Sequence, residues 1–105
     1  MGFLDLFRQP DINRGVEEYR AAPQGILVDV RTPEEYRGEH IPESKNVPLQ
    51  QIDRIKSVAV NKEAPLFVYC QSGARSRQAV SLLQRMGYVN VNNIGGMSAY
   101  QGEVE

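Results

Sequence analysis

Strand and helix signals alternate along the chain, and that alternation predicts an α/β fold: a mostly parallel sheet of about five strands with helices on both faces. The runs Ile26-Leu27-Val28-Asp29-Val30 and Leu66-Phe67-Val68-Tyr69 are short, apolar and rich in β-branched or aromatic residues. Strands buried on both faces read this way. Between such runs lie stretches whose apolar residues recur at helical spacing, and proline or glycine stands at the junctions.

In chain order, Ile12, Val16 and Tyr19 line one face of a helix that must stop before Pro23. The run 26–30 is the first strand. Thr32-Pro33-Glu34-Glu35 then opens a short helix: Thr32 caps it, Pro33 suits its first position, and Glu35 completes a capping box. That helix ends near Gly38. Lys45-Asn46-Val47 is a second strand, and Leu49, Ile52 and Ile55 have helical spacing. Pro65 introduces the strand at 66–69. From about residue 74 a helix presents Ala79, Leu82, Leu83 and Met86, with Gly87 as its stop. Val89 to Ile94 is the last strand, and Gly95-Gly96 opens a terminal turn or short helix through Tyr100.

Composition narrows the function classes. At 105 residues the chain has room for one core, and we expect a single domain over 1–105 with residues 1–10 as a short N-terminal extension. Twelve basic against thirteen acidic residues leave a net charge of -1, so no nucleic-acid partner is expected. The chain has one cysteine, Cys70, and one histidine, His40, which excludes an intrachain disulfide and a cysteine or Cys/His zinc cluster. No metal or organic cofactor is expected. No apolar run is long enough to span a membrane, and a lone cysteine suits a reducing compartment, so the expected location is the cytoplasm. Met1 to Phe7 lacks the basic start of a secretory signal, and Leu6 stands where myristoylation requires Ser or Thr. Phe3, Leu4, Leu6 and Phe7 form a small apolar patch, read as docking onto the domain or as a contact in a weak homodimer; the protein is expected to be a monomer or such a dimer.

The chemistry concentrates in Tyr69-Cys70-Gln71-Ser72-Gly73-Ala74-Arg75-Ser76. Cys70 ends a buried strand, a helix follows it, and ligands of open α/β sheets sit at such strand ends. Gly73 permits a turn with positive φ, which aims several backbone N–H groups inward, and the helix adds its positive end. A cradle of this kind around sulfur favours thiolate. Arg75 and Arg77 add positive charge, while Ser72 and Ser76 carry hydroxyl donors. A lone cysteine at a strand end is in general only a small buried hydrophobe. The glycine, the arginine and the helix start that follow favour a nucleophile in an anion-binding loop.

The chain resembles the single-domain rhodaneses, a sulfurtransferase family, from about residue 13 to its end. The resemblance rests on an ordered set: Val28-Asp29-Val30-Arg31-Thr32-Pro33-Glu34-Glu35-Tyr36, Gly38-Glu39-His40-Ile41-Pro42, Asn46-Val47-Pro48-Leu49, Val68 through Ser76, Leu83 through Tyr88, and Gly95-Gly96-Met97. It implies a five-stranded parallel sheet. It further implies that Cys70 takes a sulfane sulfur from thiosulfate or a persulfide and passes it to a thiol or cyanide. Gln71, Ser72, Gly73, Ala74 and Arg75 would form the loop that holds the persulfide, with Ser76 beside it and Arg75 binding the anionic donor. Four residues separate Cys70 from Arg75, the spacing of sulfurtransferases. Cysteine phosphatases and arsenate reductases need a wider cradle, one residue longer. The chain departs from the family at Glu43-Ser44, where Gly-Ala is usual, at Tyr100, where Trp is frequent, and at Gln71-Ser72, where some thiosulfate-preferring members carry a basic pair. A second reading of a different class is a sulfur carrier or docking module that serves a sulfur-relay protein with little turnover of small molecules. Asp29 and Arg31 read as a structural pair under the loop, and His40 as a packing residue rather than a base.

Overall fold

A computed structural model describes residues 9–105. The apolar patch Phe3–Phe7 lies outside them. Four strands form one parallel sheet in the order β2-β1-β3-β4, with β1 at Ile26–Asp29, β2 at Lys45–Asn46, β3 at Leu66–Cys70 and β4 at Val91–Gly96. This corrects the expected count of about five: the described residues contain only four extended runs. The helices are α1 (Ile12–Arg20), α2 (Pro33–Gly38), α3 (Ile55–Val58) and α4 (Ala74–Arg85).

Alternation along the strands divides the core between the two faces. Val28, Leu66, Val68 and Cys70 point to one side and pack with Ile55, Ala79, Leu83 and Tyr88. Leu27, Phe67 and Tyr69 point to the other and meet Ile12 and Val16 of α1, with Ile41, Ile94 and Met97. Both faces are therefore covered, as the apolar strands require. At Gly15 a methyl group would stand 2.3 Å from the Ile94 side chain, so α1 sits directly on β4.

Local signals explain most element ends. Asp11 caps α1 by accepting the Asn13 N–H at 3.0 Å. The capping box of α2 forms as expected: Thr32 Oγ1 accepts the Glu35 N–H, and Glu35 accepts the Thr32 N–H. Gly87, at φ 101°, follows α4. The Leu49, Ile52 and Ile55 stretch is a 3-10 segment over Leu49–Arg54 running into the single turn of α3, with Gln51 off helical geometry. Its apolar spacing of three matches the 3-10 period rather than the α period.

The last strand is displaced from the expected Val89–Ile94. Val89 lies in the preceding turn, where its N–H donates to Lys62, and its side chain is 74% exposed. Gly95-Gly96 do not open the terminal turn; they extend β4, pairing with Tyr69 and Cys70 across a register shift. Gly95 takes φ 108° at this irregularity. The terminal 3-10 turn is Met97–Ala99.

The strand order places the functional end of the sheet. After β1 the chain moves outward to β2, and after β3 it moves the opposite way to β4. The crevice between the carboxyl ends of β1 and β3 is thus the point where the order reverses, the usual ligand position in open α/β sheets. Asp29 ends β1 and Cys70 ends β3.

Candidate active site

The turn after Cys70 wraps backbone around its own sulfur. Gly73 takes φ 100°, a left-handed conformation that a side chain would strain. This directs the Gly73 N–H at Cys70 Sγ, 3.0 Å away. The Ser76 N–H, one of the donors left without an intrahelical partner in the first turn of α4, donates to the same sulfur at 3.3 Å. Ser76 Oγ lies 3.6 Å from Sγ. The sulfur therefore occupies the positive end of a twelve-residue helix. Burial pushes the Cys70 thiol pKa up, but hydrogen bonds from the Ser76 hydroxyl and from the Ser76, Gly73 and Ser72 N–H groups outweigh it, and the net shift is downward.

Ser76 is fully buried, and its hydroxyl lies 2.7 Å from Asn93 Oδ1 and 3.0 Å from the Gly73 carbonyl. Asn93 also accepts the Gly95 N–H at 3.0 Å. β4 thereby fixes the serine that touches the sulfur. Ser76→Ala removes the hydroxyl beside Sγ whose hydrogen bonding lowers the thiol pKa, and hydrogen bonds to charged groups are worth about 1.5–3 kcal/mol. Its thiol pKa is expected to rise, and iodoacetamide labelling near neutral pH to slow by roughly tenfold or more. Labelling rates measured across pH check this.

The loop backbone rests on β4 and the terminal turn. Ser98 N–H donates to the Gln71 carbonyl at 3.1 Å. A Cβ on Gly96 would lie 2.5 Å from that carbonyl oxygen and 2.7 Å from Ser72 Cα. Gly96→Ala must displace the loop. Displacements of about 1 Å at reacting groups cost on the order of 10²-fold in rate, and we expect a loss of that size. Single-turnover sulfur transfer by this variant checks it.

Beneath the loop, Asp29 and Arg31 form a buried pair. Arg31 Nη2 and Nε donate to Asp29 Oδ2 at 2.7 and 3.0 Å, and the Arg31 N–H donates to Oδ1 at 2.8 Å. Asp29 is fully buried and Arg31 is 3% exposed. Arg31 Nη2 also donates to the Glu39 carbonyl at 2.7 Å, and its Nη1 reaches Gln71 Oε1 at 3.5 Å. Tyr69 lies below the guanidinium, 5.9 Å from ring centre to Cζ. Burial first, and the Asp29 charge second, raise the Tyr69 phenol pKa well above its ordinary range.

Arg75 is engaged within the protein. Its Nη1 and Nη2 donate to Glu35 Oε1 and Oε2 at 2.7 and 2.9 Å, a bidentate pair. The Arg75 bonds first, against burial and with help from Thr32, hold the Glu35 carboxyl down at about 2. Because this pKa is depressed, the stabilisation is present above the ordinary carboxylate range and is lost as pH falls towards 2. Glu35 entered the sequence reading only as a capping residue, and Asn93 did not enter it at all. The signal for Asn93 was a pair of asparagines inside a strand, where that residue is disfavoured.

The remaining predicted residues separate. Gln71, Ser72 and Ala74 are exposed along the loop, and so is Arg77 on α4. His40 stacks on Tyr36 with ring centres 3.7 Å apart, and its Nδ1 lies 2.8 Å from the Tyr36 carbonyl. Beside Arg75 opens a cleft of about 290 Å³ lined by Val30, Thr32, Pro33, Pro48 and Leu49. No helix among the described residues is long and apolar enough to cross a membrane.

Known proteins are similar to this chain in sequence and fold. The chain is 41% identical over 71 residues to the thiosulfate sulfurtransferase PspE of Escherichia coli, covering 67% of this chain and 68% of that protein. It is 40% identical over 76 residues to a sulfurtransferase of Allochromatium vinosum, covering 71% of this chain and 70% of that protein. A solved rhodanese with anions from E. coli superposes with a TM-score of 0.73 at 35% identity, covering 77% of this chain and 96% of the other. Residues 13–103 match the rhodanese-like domain, and the protein belongs to the rhodanese-like sulfurtransferase family, with its parallel α/β fold.

Proposed function

We propose that the protein is a sulfurtransferase whose nucleophile is Cys70. The observation that carries this is the pair of N–H donors from Gly73 and Ser76 aimed at Cys70 Sγ. Cys70 thiolate attacks the outer sulfur of thiosulfate or of a persulfide. A bond forms between Sγ and that sulfur, and the bond to the donor breaks, with its electron pair leaving on sulfite or on a thiolate. The Cys70 persulfide then gives its outer sulfur to cyanide or a thiol, and Cys70 leaves as thiolate. Both steps conserve charge and need no oxidant, base or cofactor. The loop Gln71–Arg75 and the end of α4 stabilise the anions that come and go.

Loop length supports sulfur over phosphoryl chemistry, because four intervening residues leave a cradle for a sulfur rather than for a tetrahedral oxyanion. Cys70 has no exposed surface, so a donor reaches it only as the groups around the sulfur shift. The whole chain acts as one domain in a reducing, cytoplasmic setting, where a lone thiol persists. Thiocyanate formation from thiosulfate and cyanide tests the reading. A steady turnover supports it, whereas loading of Cys70 that discharges only to a protein acceptor favours the carrier reading.

A further inference from the structure

We infer that Glu35 is a positioning residue that sets donor specificity: by holding Arg75 in a neutral pair, it tunes the site for organic persulfides over the inorganic thiosulfate dianion. This rests on the sulfurtransferase reading and adds the class of donor.

Of the guanidinium groups near the loop, Arg31 and Arg75 are each matched by a carboxylate, while Arg77 is exposed on α4. Arg31 is paired with Asp29 at 2.7 Å, and Arg75 is held at both ends of its fork by Glu35. The positive charge that Arg31 and Arg75 would offer to a dianion is thus cancelled. What remains are backbone N–H donors and a helix end, which suit a single negative charge. Glu35 is itself held in place: the Thr32 N–H and hydroxyl donate to its Oε1 at 3.0 and 3.1 Å. Arg75 therefore meets a carboxylate anchored to α2, not a mobile surface acid.

A second observation concerns the surroundings of Arg75. The adjoining cleft presents Val30, Pro33, Pro48 and Leu49 alongside Thr32, Gln50 and Gln51, and the acidic Glu34 also lines it. Its apolar part fits the organic body of a persulfide R–S–S⁻, and the Glu34 carboxylate disfavours a dianion. Loading from the organic donor forms the Sγ–S bond, breaks the R–S to S bond and releases R–S⁻.

Glu35→Gln makes a clean test. Glutamine serves the capping box as glutamate does, so α2 keeps its N-terminus, while the charge that neutralises Arg75 disappears. Single-turnover loading of Cys70 in the full-length chain is followed by quenched mass spectrometry, with thiosulfate and with cysteine persulfide as probes. In the variant the half-saturating thiosulfate concentration is expected to fall about tenfold, with the maximal loading rate moving much less. The ratio of thiosulfate to persulfide efficiency rises accordingly, and adding Arg75→Gln reverses the gain. A merely structural role would lower both efficiencies together.

The wild-type chain supplies an independent check. If Arg75 is neutralised, thiosulfate loading changes little with added salt; in Glu35→Gln it weakens steeply as salt rises. A steep dependence in the wild type, or an unaltered donor ratio in Glu35→Gln, overturns the role of Glu35. Failure of the wild type to load from either donor overturns the sulfurtransferase reading instead.

Discussion

Cys70→Ser is expected to abolish sulfur transfer, lowering kcat/KM by roughly 10⁴-fold or more, as removal of a nucleophile does in other enzymes. Serine is nearly isosteric and its hydroxyl accepts the same N–H donors, so the fold remains. The serine hydroxyl stays protonated near neutral pH and is too poor a nucleophile to replace the thiolate, and it forms no persulfide. Thiocyanate production and a thermal melt, measured on the same preparation, separate lost chemistry from lost structure. A variant with near wild-type turnover would contradict the assignment of Cys70.

Asp29→Ala has the largest expected effect on stability. It leaves the Arg31 guanidinium buried without its carboxylate, and breaking such a pair costs about 3–5 kcal/mol. Domains of this size have on the order of 5–15 kcal/mol in total, so Tm should fall by roughly 15 °C or more. Arg31 also reaches Gln71 of the loop and the Glu39 carbonyl, so the loop should loosen as well. Joint replacement Asp29→Leu with Arg31→Met removes both charges and should restore most of the stability, since apolar substitutes for a whole buried pair are often neutral. Transfer activity should stay reduced in that double variant if the pair also steadies the loop. A loss below about 1 kcal/mol in Asp29→Ala would show that the pair does not stabilise the fold.

Features set by neighbouring residues were legible in the sequence. The strands β1 and β3 announce themselves because burial on both faces demands continuous apolar runs. The capping box of α2 and the glycine after α4 are short-range signals, and both elements end where those signals stand. The turn at Gly73 belongs to the same class: one glycine between a strand and a helix is enough to curl the N–H groups around Cys70.

Features set by distant residues were not legible. Glu35 and Arg75 are forty positions apart, and only the pairing of β1 with β3 brings them together. Gly95 and Gly96 look like turn residues in isolation. They belong to β4 because they pair with Tyr69 and Cys70, and Gln71 and Ser72 leave no space for a Cβ at Gly96. Asn93 reads as an ordinary polar residue until Ser76 is placed 2.7 Å away. Local patterning thus locates Cys70 and its loop, whereas the residues that pack against them come from tertiary contacts.

The most direct test of a persulfide-forming Cys70 is intact-protein mass spectrometry of the wild type and Cys70→Ser after incubation with thiosulfate or cysteine persulfide, before and after cyanide. The expected result is a gain of one sulfur atom on the wild type alone, removed by cyanide. A gain on both proteins, or on neither with either donor, would contradict it.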